Sequence, residues 1–192
     1  VIDPIQQVQK WLDDARRAAI KEPNAMTLAT TTRDGKPSAR MVLLKGIDDR
    51  GFTFHTNYLS RKGSELAENP RAALVLYWPA LDRQVRITGR VSKLTPAESD
   101  AYFATRPAES RLSAVASPQS TVIASRTVLE QKLAEMKARY PGAAPPRPKH
   151  WGGYIVRPDE IEFWQQGQHR LHDRLRYRRR RDGSWKLERL AP

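Results

Sequence analysis

Met26-Thr27-Leu28-Ala29-Thr30-Thr31-Thr32, the turn Asp34-Gly35, and Ser38-Ala39-Arg40-Met41-Val42-Leu43-Leu44-Lys45 decide the class of fold. Threonine, valine and leucine on both sides of an Asp-Gly pair mark a β-hairpin, because these two residues tolerate the backbone angles that a tight turn needs. A second turn at Asp48 to Gly51 leads into Phe52 to Thr56, so three strands with short connections predict an antiparallel meander. Ala72 to Trp78 is nearly all apolar and reads as a central strand. In Gln84 to Lys93, Val85, Ile87, Gly89 and Val91 alternate with Gln84, Arg86, Thr88 and Arg90, the pattern of a strand with one buried face. Gly153 to Val156, Glu160 to Gln165, Arg174 to Arg180 and Trp185 to Leu190 bring the expected strands to nine.

Helices punctuate these strands. Asp3 and Pro4 form a helix start, with Ile5, Val8, Trp11, Leu12, Ala15 and Ala19 on one apolar face and a stop before Pro23. Ser60 to Asn69 is a short helix whose first turn carries Arg61 and Lys62, cations that oppose the helix dipole unless an anion sits there. Thr95-Pro96-Ala97-Glu98 is a capping box for a helix through Tyr102 to about Thr105, where Pro107 ends it. Ala108 to Ala116 is a shorter helical piece. Ser125 to Arg139 reads as an amphipathic helix with Val128, Leu129, Leu133 and Met136 inward, and Pro141 to Pro148 as a rigid strap. The expected fold is α+β, a mostly antiparallel barrel or strongly coiled sheet with flanking helices. One domain is expected over 1–192: an N-terminal helix within 1–22, a helical insertion over 95–140 and C-terminal strands over 153–192.

Composition narrows the function. The 192 residues include no cysteine, which removes disulfides, thiolate zinc sites and thiol catalysis, and fits a reducing compartment. No apolar run is long enough to span a bilayer and no leader pattern opens the chain, so a cytoplasmic protein without membrane attachment is expected. A formal net charge of +13 points to anionic partners. Much of it lies at Arg176, Arg178, Arg179, Arg180 and Arg181 around Tyr177, read either as a solvated hairpin arm ending at Asp182-Gly183 or as the grip of a basic nucleic-acid-binding protein. The solvated arm is the preferred reading. There is no Gly-rich strand-turn-helix fingerprint for a Rossmann or P-loop nucleotide site.

The densest chemistry is Phe163-Trp164-Gln165-Gln166-Gly167-Gln168-His169-Arg170-Leu171-His172-Asp173-Arg174. His169, His172 and Asp173 are too closely spaced, and lack a further ligand type, for an expected metal site. A Ser-His172-Asp173 triad is disfavoured because neighbours on an extended strand point to opposite sides. Trp164 reads either as core or as one wall of a pocket for a flat ring. Phosphate-holding candidates form three clusters: Arg40 with Lys45, then Ser60-Arg61-Lys62, then Tyr102 with Arg106 and Ser110. Arg40 and Lys45 fall on opposite faces of an otherwise apolar strand, so one of them must point somewhere protected.

From about Asn24 to Pro192 the chain resembles the pyridoxine (pyridoxamine) 5′-phosphate oxidase family. The resemblance rests on Arg40-Met41-Val42-Leu43-Leu44-Lys45, Thr56-Asn57 followed by Ser60-Arg61-Lys62, Arg83-Gln84-Val85, Gln119-Ser120, Trp151-Gly152-Gly153, Arg170-Leu171-His172-Asp173-Arg174 and Arg189-Leu190-Ala191-Pro192. It implies a homodimeric, FMN-dependent split barrel. By that resemblance, FMN contacts fall on Arg40, Met41, Val42, Leu43, Leu44, Lys45, His55, Thr56, Arg61, Lys62, Gln84, Gln119, Ser120, Trp164 and Arg174. Arg40, Arg61, Lys62 and Ser120 are the physically sensible phosphate holders among them. The substrate phosphate would meet Lys45, Tyr102, Arg106 and Ser110, and Arg170 and His172 would face the pyridine ring as the catalytic pair.

The implied reaction oxidises the 4′ carbon of pyridoxine 5′-phosphate or pyridoxamine 5′-phosphate to pyridoxal 5′-phosphate, with hydride passing to flavin N5 and oxygen leaving as hydrogen peroxide. A split-barrel oxidase acting on another aromatic compound, such as a phenazine precursor, is the alternative within the fold. Two positions depart from the family pattern, which commonly has tyrosine at His55 and glycine at Gln166.

Overall fold

The structure is a computed structural model and describes residues 3–192. The first helix, α1 (Pro4–Arg17), starts where expected: the Asp3 carboxylate accepts from the Ile5 amide at 2.9 Å, and Pro4 needs no partner for the amide hydrogen it lacks. Ile5, Val8, Leu12 and Ala15 are buried against the sheet, the three larger side chains contributing about 1.5–3 kcal/mol each. Trp11 meets Phe163 edge-on at 5.0 Å. Ala19 does not join this face. It lies beyond the helix end with φ 53° and is exposed.

Nine strands follow among the described residues: β1 (Ala25–Thr31), β2 (Pro37–Leu43), β3 (Gly46–Asp48), β4 (Gly51–Asn57), β5 (Arg71–Trp78), β6 (Arg83–Lys93), β7 (Trp151–Gln165), β8 (Asp173–Arg179) and β9 (Trp185–Leu190). All pair antiparallel in one sheet ordered β2-β1-β5-β6-β7-β4-β3, with β8 and β9 continuing from β7. The helices α2 (Arg61–Glu68), α3 (Pro96–Thr105), α4 (Ala108–Ala116) and α5 (Arg126–Arg139) lie between strands. The Thr95–Glu98 capping box is present at α3, and Ser60 Oγ accepts from the Gly63 amide at 3.4 Å to cap α2.

Three expectations need correction. The β1–β2 hairpin forms, with Ala29 opposite Ala39, but β4 does not pair with β2 to extend a meander. Instead the chain crosses: the Leu44 amide donates to Asn24 O and the Lys45 amide to Thr53 O, each at 2.8 Å. That crossing draws the β2 edge toward β4 and curls the sheet into a split barrel, with the short β3 pairing β4 beyond it. The two strands expected over 153–165 are one, β7, because Pro158 sits at a β-bulge that leaves Asp159 unpaired between Thr88↔Glu160 and Gly89↔Pro158. Gly89 permits this, since a Cβ there would meet Arg157 O at 2.1 Å. Finally, no residue of α5 is buried. Val128, Leu129, Leu133 and Met136 are only half-buried, because α5 packs on α4 at the surface rather than on the sheet.

Two arginines of the basic arm are ion-paired. Arg176 and Arg178 share Glu188 at 2.8 and 3.0 Å, and Arg179 stacks over Trp185. No helix among the described residues is long and apolar enough to cross a membrane.

Candidate active site

The first turn of α2 carries Arg61 and Lys62 into a corner formed with β1, β2 and β4. Arg40, on the core-side face of β2, donates to Leu28 O at 3.2 Å and to Glu65 at 3.2 Å, and Arg61 Nε donates to the other oxygen of Glu65 at 2.9 Å. Burial alone would raise the Glu65 carboxyl, but hydrogen bonds from Ser38, Thr30, Arg61 and Arg40 hold it at about 2. Of Arg40 and Lys45, then, Arg40 is the protected one, and Lys45 is exposed.

Lys62 is only 8% exposed and has no such carboxylate. Its Nζ donates to Thr56 Oγ1 and Ser60 Oγ at 3.2 Å and to Gln119 Oε1 at 3.1 Å, all neutral acceptors. Burial lowers its pKa and the charge of Arg40 lowers it further, against the smaller opposing effect of the Glu65 charge. A buried ammonium held by neutral oxygens, next to a guanidinium and a helix N-terminus, is a site with positive charge to spare.

The same cavity, about 600 Å³, extends from Arg40, Met41, Val42, Leu43, Thr56, Lys62 and Gln119 to Lys45, His55, Tyr102, Arg106, Ser110 and Trp151. At this second end His55 lies nearly parallel to Tyr102, centroids 3.8 Å apart, and Trp151 is parallel to both. The Arg106 guanidinium covers the Trp151 ring at 4.6 Å, its Nη1 is buried without a partner, and burial lowers its pKa. Aromatic planes bordered by cations suit a flat ring carrying an anionic group.

Five expected site residues do not line this cavity. Gln84, Trp164 and Arg174 stand directly opposite one another on β6, β7 and β8, forming one row. That row shares the face of Arg86 and Arg90, away from the core face of Val85 and Ile87. Arg174 Nε donates to buried Glu162 at 2.9 Å. His172 joins the row, its ring 4.8 Å from Trp164, and its Nδ1 accepts from the Gly167 amide at 3.2 Å. Arg170 is exposed on the adjoining turn, where His169 and Arg170 have φ of 51° and 64°. Asp173 is ion-paired with Arg189. Gln166 keeps its side chain exposed while its amide donates to Asp82 O at 3.0 Å, so the altered position continues the sheet edge.

Three others also stand apart from the cavity lining. Leu44 is buried in the core, Arg61 is turned to Glu65, and Ser120 is exposed with φ 70°. Glu65 and Trp151 were not among the expected site residues. The signal for Glu65 was its place four residues after Arg61 on a helix, and for Trp151 its position two residues before Gly153, which pairs with His55. No group of three or more His, Asp or Glu side chains suited to a metal ion occurs among the described residues.

Comparison with known proteins places this geometry. A family profile described as "Pyridoxamine 5′-phosphate oxidase" matches residues 12–140, and one described as "Pyridoxine 5′-phosphate oxidase C-terminal dimerisation region" matches residues 151–192. The chain is 58% identical over 190 residues to a pyridoxine/pyridoxamine 5′-phosphate oxidase of Cupriavidus pinatubonensis, covering 99% of this chain and 89% of that one. It is 59% identical over 192 residues to the enzyme of that name from Salinibacter ruber, with the same coverage. Among solved structures, PhzG from Burkholderia lata, in complex with tetrahydrophenazine-1-carboxylic acid, has a TM-score of 0.94 at 39% identity, covering 99% of this chain and 93% of that chain. A pyridoxamine 5′-phosphate oxidase-related, FMN-binding protein of Nostoc punctiforme has a TM-score of 0.79 at 18% identity, covering 100% and 98%, and speaks to the fold alone.

Proposed function

Because the chain belongs to the pyridoxamine 5′-phosphate oxidase family, we propose that it is an FMN-dependent oxidase converting pyridoxine 5′-phosphate or pyridoxamine 5′-phosphate to pyridoxal 5′-phosphate. One observation carries this reading: a single cavity has cations at both ends, Lys62 held by neutral oxygens beside the Glu65-paired Arg40 at one and Lys45 with Arg106 at the other, and flat side chains at the second. Two phosphate-bearing ring compounds lying together would use both ends. A flavin phosphate fits the first, because the charge of Lys62 there has only neutral partners.

When bound, FMN supplies the hydride acceptor and the path by which electrons reach oxygen. The protein's contribution is positioning. Arg40 and Lys62 would hold the flavin phosphate, with Arg61 and Ser120 placed beside that end rather than on the cavity wall, while Met41, Val42, Leu43, His55, Thr56 and Gln119 line the space where the flavin would lie. Lys45, Tyr102, Arg106 and Ser110 hold the substrate phosphate and so fix the 4′ carbon.

Gln84, Trp164 and Arg174, with Arg170 and His172, close the site from a second copy of the chain. Support comes from their position on the sheet face away from the core and from the match of residues 151–192 to a dimerisation region. Since His172 Nδ1 accepts a hydrogen bond, the neutral imidazole carries its proton on Nε2, and the side chain meets the substrate as a donor. Arg170 clamps the pyridine ring from the side away from the flavin. The whole chain acts as one domain.

The likeness to PhzG favours a second reading, an oxidase of an unphosphorylated aromatic carboxylate. The pair Lys45 and Arg106 counts for the phosphate ester, because a dianion answers both cations. Peroxide formation by FMN-loaded protein decides between them: turnover with pyridoxine 5′-phosphate but not with pyridoxine or a tricyclic carboxylate supports the first reading, and the reverse supports the second.

A further inference from the structure

His55 flanks the flavin in the arrangement above, but nothing there bonds its two ring nitrogens. Neither ring nitrogen has a hydrogen-bond partner and both are shut off from solvent. The imidazole lies between Tyr102 and the strand pair β4–β7, and Gly153 opposite it leaves the space, since a Cβ there would meet His55 Nε2 at 2.8 Å. Lys45 faces it from the β2–β3 connection, Arg106 and Tyr102 from the end of α3, and Lys62 shares the cavity. Glu109 of α4 borders the adjoining hollow with His55 and Arg106, and is paired with Lys137 at 3.0 Å. An orphaned pair of buried nitrogens costs free energy unless something comes to meet it.

We propose that His55 is a proton-linked recognition group: it takes a proton from solvent when a phosphate monoester occupies the Lys45–Arg106 end, and as imidazolium donates to a phosphate oxygen. The phosphate monoester is taken from the oxidase reading above. In the free protein burial, then the charges of Lys45 and Arg106, push the imidazole down to about 4, so it is neutral near pH 7. An arriving phosphate carries about −1.5 to −2 charge. It answers Lys45 and Arg106 and adds negative charge beside the ring, which reverses two of the three causes. The balance is one proton from solvent to one imidazole nitrogen, with no other bond made or broken. Linkage then makes affinity rise as pH falls through the pKa of the complex, by at most about tenfold per pH unit for one proton.

The test uses FMN-loaded protein and 4-deoxypyridoxine 5′-phosphate, which has the phosphate but no oxidisable group. Calorimetric titrations in buffers of different ionisation enthalpy count the protons taken up between about pH 6 and pH 8. Wild type is compared with His55→Tyr, which keeps the ring stack, and His55→Gln, which keeps a hydrogen-bonding group. The ligand's own phosphate titrates alike in all three, so the difference belongs to His55. Wild type is expected to bind up to one more proton per site than either variant at the acid end, with the variant-to-wild-type Kd ratio rising as pH falls. Binding with equal proton counts in all three overturns the role of His55 and leaves the oxidase reading standing. Absence of binding in all three overturns both. An imidazole signal that stays neutral in the wild-type complex at pH 6 by NMR also overturns it.

Discussion

Lys62 donates from Nζ to Gln119 Oε1 at 3.1 Å, tying the first turn of α2 to the loop after α4 across 57 positions of sequence. The bond gathers a cation, a helix N-terminus and neutral acceptors into one corner.

Replacing Lys62 by Met removes a buried charge whose direct partners are all neutral oxygens, Glu65 acting on it only from a distance. The protein without flavin keeps its melting temperature or gains slightly, because a desolvated ammonium is itself a cost. FMN affinity falls by about ten- to a hundredfold, the value of one charge-assisted hydrogen bond. Quenching of flavin fluorescence on titration, beside a thermal melt, measures both.

Glu65 gives a pH signature. Its folded-state pKa of about 2 lies below the ordinary 4.5, so its contribution to stability is fully present above that ordinary value and disappears as pH falls from there toward 2. Glu65→Gln is expected to cost about 2 kcal/mol at pH 7, where Arg40 and Arg61 lose their shared partner. The gap between wild type and variant closes between about pH 4.5 and pH 2.5. Urea midpoints across that range report it.

If the row Gln84–Trp164–Arg174 serves the cavity of a second copy, two damaged chains repair each other. At an FMN concentration too low to fill the Lys62→Met site, Lys62→Met and Trp164→Ala, each with little activity alone, yield up to about a quarter of wild-type activity when co-expressed, since half the dimers are mixed and each of these has one intact site. A site built within one chain gives no such gain.

How much of this the sequence held depends on the range of the interaction. The Asp34-Gly35 hairpin, the Asp3-Pro4 start and the Thr95–Glu98 box are local, and each stands where the pattern predicts. The crossing at Leu44 and Lys45 is not local: it depends on where Asn24 and Thr53 arrive, so a meander was the natural expectation. Pro158 lies between the two strands expected over 153–165, yet a bulge absorbs it within one strand. The three phosphate-holding clusters were visible as residue types, but only register shows that Gln84, Trp164 and Arg174 form a row on the face opposite the core. Glu65 was hidden because one carboxylate on a short helix is ordinary until Arg40 arrives from β2 to meet it.

Arg170 separates strain from function. A non-glycine residue at φ 64° costs about 1 kcal/mol or more, which glycine relieves. Arg170→Gly is therefore expected to hold or slightly raise the melting temperature and to leave FMN affinity within about twofold, while kcat/KM falls by about a hundredfold or more for loss of the clamp.

The central claim is that one cavity takes FMN at the Arg40–Lys62 end and a phosphorylated vitamer at the Lys45–Arg106 end. Its most direct measurement is the absorption spectrum of the protein incubated with FMN, followed by peroxide release on adding pyridoxine 5′-phosphate or pyridoxine. The expected result is a bound-flavin spectrum and peroxide from the phosphate ester at least about a hundredfold more efficiently than from the free alcohol. A protein that takes up no FMN, or that turns over both compounds equally well, contradicts it.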